Sequence, residues 1–200
     1  MEHTLSLKDY AAYKTELEDK RRTSADLLNA TIEGESNFDF DRLLAESSFE
    51  GLPLDFIASS LRLEEVMSKI WHTHTGHGEK KLKLAIGYIP PRLNYEYIII
   101  DNVPCYALNY ALMAVFASDV CIIPLRLTRN DLGRTISMML KLQEYANIYE
   151  MSKDTFFNKL IFIFNDVAHY INEERIKNYK KELLKCIPKA KIFDEIIARQ

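Results

Sequence analysis

Glycine is scarce in this chain, and the six present (Gly34, Gly51, Gly76, Gly78, Gly87 and Gly133) never stand in pairs and never precede Lys-Ser or Lys-Thr. That excludes a glycine-rich phosphate loop, whose backbone N–H groups and lysine neutralise a nucleotide's phosphates. Cysteine is scarcer still. Cys105, Cys121 and Cys186 are odd in number and widely spaced, which speaks against a disulfide framework and favours a reducing compartment. Cys105 and Cys121 lie in or beside apolar runs and read as small buried hydrophobes. Positive charge is not in excess. A net charge of −3 argues against a globally basic nucleic-acid binder, while leaving room for a local patch. The longest apolar stretch, Tyr106 to Ile123, is broken by Asn109, Ser118 and Asp119, so it reads as buried core and not as a membrane span. Met1-Glu2-His3-Thr4 leads into charged sequence with no apolar signal core, and a cytoplasmic location without membrane attachment is expected.

What is present suits one globular domain over residues 1–200, since 200 residues suffice to bury a sizeable core. Residues 1–23 read as a polar helical segment, with a weak apolar stripe at Tyr10, Tyr13 and Leu17. Ser24 to Leu28 suits a short helix, 29–37 a polar loop, and Asp39 to Glu46 another short helix. Leu54 to Ser59 is expected to form a strand. Leu63, Val66, Met67 and Ile70 follow at helical spacing, and Leu82 to Ile89 suits a helix ended by Pro90-Pro91. Three apolar runs predict parallel strands covered on both faces: Tyr97–Asp101, Val120–Leu125 and Lys159–Asn165. Between the last two lies a helix near Leu132–Tyr149, with Ile136, Met139, Leu140 and Ala146 inward. Alternating strands and helices indicate βαβ units, hence an α/β domain with a mostly parallel sheet.

Ligands of open parallel sheets bind outside the carboxyl ends of the strands. Asp101, the stretch Thr128–Asp131 and Asn165-Asp166 fall there. Asp101 reads in two ways: as a carboxylate holding the water shell of Mg²⁺ beside phosphates, or as a helix cap after a buried strand. His72, His74 and His77 form His-x-His-x-x-His, a pattern able to collect zinc with Glu79 nearby, or else a flexible polar loop. His169, near the end of the third apolar run, reads as a surface or satisfied histidine. From Arg175 to Lys191 the chain carries Lys177, Lys180, Lys181, Lys185, Lys189 and Lys191 against the single acid Glu182. With Ile176, Tyr179 and Leu183 as an inner stripe, those lysines face mostly outward. They serve either to complement the helix dipole or to track phosphates.

Asn94-Tyr95-Glu96-Tyr97-Ile98-Ile99-Ile100-Asp101-Asn102-Val103-Pro104 resembles the Walker B segment of the ParA/Soj/MinD-type partition ATPases. Ala117-Ser118-Asp119 followed by Ile122-Ile123-Pro124 resembles that family's Ala-Ser-Asp and Ile-Pro strand. Ser24–Leu28 and Leu54–Ser59 are similar to segments after its second strand. The similarity spans about 24–199. It implies a P-loop NTPase-like α/β domain with helices on both faces of the sheet, and ATP and Mg²⁺ as cofactors. It further implies Asp101 as the hydrolysis carboxylate and Asn165 as the contact to the adenine base. A homodimer, a ParB-like or other adaptor partner, and non-specific DNA binding through Lys177, Lys181 and Lys185 complete the expectation.

The departures are as informative as the matches. The family's opening strand and Lys-Gly-Gly-x-x-Lys-Thr loop are missing, and Val103 replaces the first proline of the Asp-x-Pro-Pro ending. The fold is therefore expected to be incomplete, and ATP not to be held by this chain alone. Three functions remain open. The chain is a partition or positioning protein without its own phosphate loop, a fragment of a full ATPase whose Walker A lies upstream, or a non-enzymatic regulatory interaction module.

Overall fold

The computed structural model describes residues 15–16, 23–35, 38–49, 52–73, 77–102, 108–167 and 173–198. Of the polar N-terminal segment, the stripe Tyr10, Tyr13 and Leu17 lies outside the described residues. The chain divides into two compact units, Met1–Ile98 and Ile99–Gln200.

The first unit begins its described core at helix α1 (Ser24–Glu33). The Asp26 carboxylate accepts both the backbone N–H of Thr23 (3.1 Å) and its hydroxyl (2.8 Å). Negative charge in the first turn also complements the helix dipole. Arg62 Nη1 lies 3.0 Å from the other oxygen of Asp26, tying the helix start to the chain after the hairpin. The expected loop at 29–37 is shorter than its polar composition suggests. Burial of Ala30 and Thr31 and an Asn29–Glu33 hydrogen bond of 2.6 Å carry the helix onward. Gly34, at φ 69°, then stops it with a left-handed C-cap that glycine adopts without strain.

A 3₁₀ turn (Phe40–Leu43) buries Phe40 and Leu43. Where a helix over Asp39–Glu46 is expected, the chain instead enters β1 (Ala45–Phe49), which pairs antiparallel with β2 (Leu52–Phe56). Leu44 already has an extended backbone, and the cross-strand partner outweighs a weak local helical preference. The strand expected at Leu54–Ser59 is thus shifted, and it belongs to a hairpin and not to a parallel sheet. Beyond it, Ala58 bridges Thr23. Helix α2 (Leu63–Ser68) runs into a π-turn (Lys69–Thr73), burying Val66, Met67 and Ile70 as their spacing requires. Gly78 packs so closely that a Cβ there would lie 3.0 Å from Ile70 Cγ2. Helix α3 (Lys81–Ile86) packs on α1, and Lys81 Nζ donates to the Thr31 carbonyl at 2.8 Å.

The second unit is built on a parallel sheet. Helix α4 (Leu108–Ala117) leads to β3 (Cys121–Leu125), then α5 (Arg129–Ile148), α6 (Lys153–Lys159), β4 (Leu160–Val167), α7 (Glu173–Cys186) and β5 (Lys191–Ala198). The strand order is β3-β4-β5, parallel throughout, with Ile123 opposite Phe162 and Leu125 opposite Phe164. Because side chains alternate along a strand, Leu125, Leu160, Phe162 and Phe164 share one face, and all are buried. The opposite face is less covered: Ile161 and Ile163 are half-buried and Ile122 is 67% exposed. The molecule is thus a mixed α/β protein with a small parallel three-stranded sheet.

Helix α5 starts at Thr128, whose hydroxyl accepts the Asp131 N–H at 3.1 Å. It buries Leu132, Met139, Leu142 and Ala146. Leu140, expected inward, is exposed, and Ile136 is half-buried. Lys159 Nζ donates to the carbonyls of Val115 (2.9 Å) and Ser118 (2.7 Å), satisfying acceptors left over at the end of α4.

Two differences from the expected strands matter for function. Tyr97–Asp101, the most β-branched run in the chain, forms no strand; Tyr97 is 78% and Ile99 87% exposed. Strand propensity expresses fit to a neighbouring strand, and among the described residues nothing pairs with this run. Conversely, β5 is a strand that sequence reasoning missed, because Asp194-Glu195 interrupts its apolar pattern and the basic run before it dominates the local composition.

Candidate functional site

Helix α7 gives the clearest arrangement of charge. Its inner side buries Tyr179 and Leu183, with Ile176 half-buried beside them. Lys177, Lys181 and Lys185 recur every fourth residue, so they stack along one side of the helix, and all three are exposed. At 1.5 Å per residue the row is about 12 Å long, enough to follow roughly three phosphates of one nucleic-acid strand. The neighbouring cations are occupied. Lys180 Nζ is 3.4 Å from Asp194, Lys189 Nζ 2.7 Å from Asp154, and Lys191 Nζ 2.9 Å from the Asn158 carbonyl. Among the described residues no carboxylate pairs with Lys177, Lys181 or Lys185. Glu173 and Glu174 in the first turn and Lys185 in the last complement the helix dipole, which explains Lys185 in part and leaves Lys177 and Lys181 unexplained. The guanidinium of Arg175 sits 5.9 Å from the Tyr179 ring, a cation–π contact that steadies the helix start.

The two residues expected at the mouth of the sheet are placed differently from one another. Asn165 lies on β4, two residues from its end, half-buried on the less covered face with Ile161 and Ile163. Asp101 is exposed and belongs to no strand. The Thr128–Asp131 stretch is accounted for as the cap of α5: besides the backbone bond, the Thr128 hydroxyl donates to the Asp131 carboxylate at 2.7 Å.

Of the histidines, His72 is exposed, and His74 and His169 lie outside the described residues. His77 Nδ1 is 3.0 Å from Glu79 Oε1. Glu79 is fully buried, and its second oxygen has no hydrogen-bond partner. This is a carboxylate–imidazole pair. Among the described residues no group of three or more His, Cys, Asp or Glu side chains is placed to hold a metal ion.

Cys121 is half-buried. Burial pushes its thiol up, against the opposing pull of Lys159 and a hydrogen bond with Ser118, so the reactive thiolate is disfavoured. Cys186 is free and exposed at the end of α7. Tyr95 donates to Asp55 Oδ2 at 2.6 Å. Burial, and then that bond, push its phenol up to about 12. Among the described residues no helix is long and apolar enough to cross a membrane.

No protein-family model matches the chain, and no solved structure matches it. A stretch of 132 residues, 66% of the chain, is 33% identical to MJECL24 of Methanocaldococcus jannaschii, an uncharacterized protein, and covers 47% of it. The chain therefore spans about half the length of the curated relative it matches.

Proposed function

We propose that this chain is a ParA-like partition or positioning protein without its own phosphate-binding loop, acting as a homodimer with an adaptor partner and touching DNA without sequence preference. The observation that carries the reading is the row Lys177, Lys181 and Lys185. Three exposed cations share one helix face with no carboxylate paired to them among the described residues, while Lys180, Lys189 and Lys191 beside them are engaged. The parallel order β3-β4-β5, with Asn165 near the end of β4, supports a P-loop NTPase-like ancestry. Phosphoryl transfer works through positioning and charge stabilisation. Without a phosphate cradle, Asp101 then acts in no turnover by this chain alone, and ATP and Mg²⁺ are not retained.

DNA contact follows from counterion release, since each phosphate neutralised by lysine frees condensed cations. The test is a mobility-shift series on random-sequence duplex across salt. Binding that weakens steeply with salt and is indifferent to sequence supports the reading, and no binding even at about 50 mM salt overturns it. Calorimetry with ATP separates the second element. Micromolar affinity abolished by Asp101→Ala contradicts the view that the chain holds no nucleotide.

A further inference from the structure

Helix α3 buries Ala85 and spends Lys81 on the Thr31 carbonyl. Lys80, Lys83, Leu84, Gly87 and Tyr88 recur at intervals of three and four residues, so they gather along a neighbouring side of the same helical stretch. Together they line a cavity of about 510 Å³, within the roughly 300–1,000 Å³ common for small-molecule sites. Part of its wall is apolar. Leu84 is 54% exposed, and the Tyr88 ring stacks on Phe38 with 6.0 Å between centroids and 28° between planes. Gly87 adds no side chain to fill the space.

The charge at this cavity is of one sign. Lys83 is exposed, and among the described residues no carboxylate pairs with it. Lys80 Nζ lies 4.0 Å from Glu79 Oε1, too far for a hydrogen bond, so its N–H donors are not taken up by that carboxylate. Glu79 itself is wholly buried and hydrogen-bonded to His77 at 3.0 Å, and it is not among the residues that line the cavity. Two ammonium groups thus stand beside an exposed leucine and a stacked tyrosine, the mixture of apolar lining and a few polar groups that orients small ligands.

We propose that this cavity binds a small aromatic anion: a flat apolar ring system lies against Leu84 and Tyr88, and its phosphate or carboxylate group is held by Lys80 and Lys83. Ring contact and the burial of Leu84 supply attraction that exposed lysines alone lack, and the lysines fix the orientation. The site lies in the first unit and uses neither α7 nor Asp101. Duplex DNA keeps its bases inside the stack and offers this cavity no free ring.

Two-dimensional NMR titration of the full-length chain tests this, with 1-naphthyl phosphate and 1-naphthoate as the phosphate and carboxylate probes. At least one is expected to give saturable shifts centred on residues 80–88 and Phe38. That probe binds about tenfold more tightly than 1-naphthol, which lacks the charge, and than inorganic phosphate or acetate, which lack the ring. Replacing Lys80 and Lys83 together by glutamine weakens it by a similar factor, with the rest of the amide spectrum retained as proof of folding. Replacing Lys177, Lys181 and Lys185 leaves its affinity unchanged. The proposal is overturned if neither probe saturates, or if 1-naphthol binds as tightly as the charged probes, a comparison on wild type that needs no variant. It is equally overturned if the shifts centre on α7, or if the folded Lys80 and Lys83 variant keeps full affinity.

Discussion

The first unit gathers its apolar side chains with short helices and turns, each set by nearby residues, whereas the second hangs them on strands that meet only across long stretches of chain. Leu43 is buried from a four-residue 3₁₀ turn and Ile70 from a π-turn, and the β1–β2 hairpin leaves Leu54 and Phe56 exposed. Phe162 and Phe164, by contrast, are buried between neighbouring strands whose partners lie some thirty to forty residues away in sequence: Ile123, Leu125 and, across β5, Ile192. The elements of the first unit are thus short and locally set, and contacts such as Arg62–Asp26 and Lys81–Thr31 join them, whereas the core elements of the second are themselves made by pairing across long stretches of chain. Charge differs in parallel. Lys81 in the first unit is spent on the Thr31 carbonyl, whereas α7 in the second keeps a row of lysines facing solvent.

The largest expected effect lies in the sheet. Phe162→Ala removes a fully buried ring and is expected to cost about 3–5 kcal/mol in chemical denaturation, while Leu54→Ala, on the exposed hairpin, costs less than about 1 kcal/mol. Equal losses at the two sites break the contrast. Next comes the helix start of the first unit. Asp26→Ala deletes the acceptor of both Thr23 bonds and the Arg62 partner. A loss of about 1–2 kcal/mol follows from capping, read as a lower denaturant midpoint at unchanged slope.

A smaller effect is confined to alkaline pH. The Tyr95 phenol is pushed up to about 12, so between its ordinary value near 10 and about 12 the unfolded chain releases this proton and the folded chain keeps it. The contribution is therefore fully present below pH 10 and is lost as pH rises through about 12. In an NMR titration one tyrosine ring, absent in Tyr95→Phe, is expected to ionise last. If the Tyr95 ring ionises near the ordinary value of about 10, the burial and the Asp55 bond that raise it do not hold in solution.

Legibility in the sequence follows the same division. Val120–Leu125 and Lys159–Asn165 announce themselves as apolar β-branched or aromatic runs, and the parallel strands Cys121–Leu125 and Leu160–Val167 form there. Tyr179 and Leu183 were readable as the inner stripe of α7, and with them the outward lysines, because one helix contains the whole pattern. Tyr97–Asp101 carries an equally strong signal yet is not a strand, since pairing depends on a neighbour that no local window contains. β5 shows the converse: Asp194-Glu195 hides it, and only β4 beside it makes it a strand. In the first unit, α1 outruns its polar composition because Gly34, not the Asn and Thr residues before it, decides where the helix ends. Asp101 and Asn165 were legible as residues following apolar runs, but whether they share a rim depends on sheet assembly.

The least perturbing substitutions are expected at α7. Changing Lys177, Lys181 and Lys185 together to glutamine alters stability by less than about 0.5 kcal/mol each, because none touches the buried stripe of Tyr179 and Leu183. The same variant gives the most direct test of the functional account when set against a first-unit control, Lys83→Gln, which removes an exposed lysine of α3. The measurement is the slope of log K against log salt for duplex DNA. The account predicts that the α7 variant flattens it by about two to three units while Lys83→Gln leaves it unchanged. A slope indifferent to the α7 change, or equally altered by Lys83→Gln, contradicts a phosphate-tracking face on this helix.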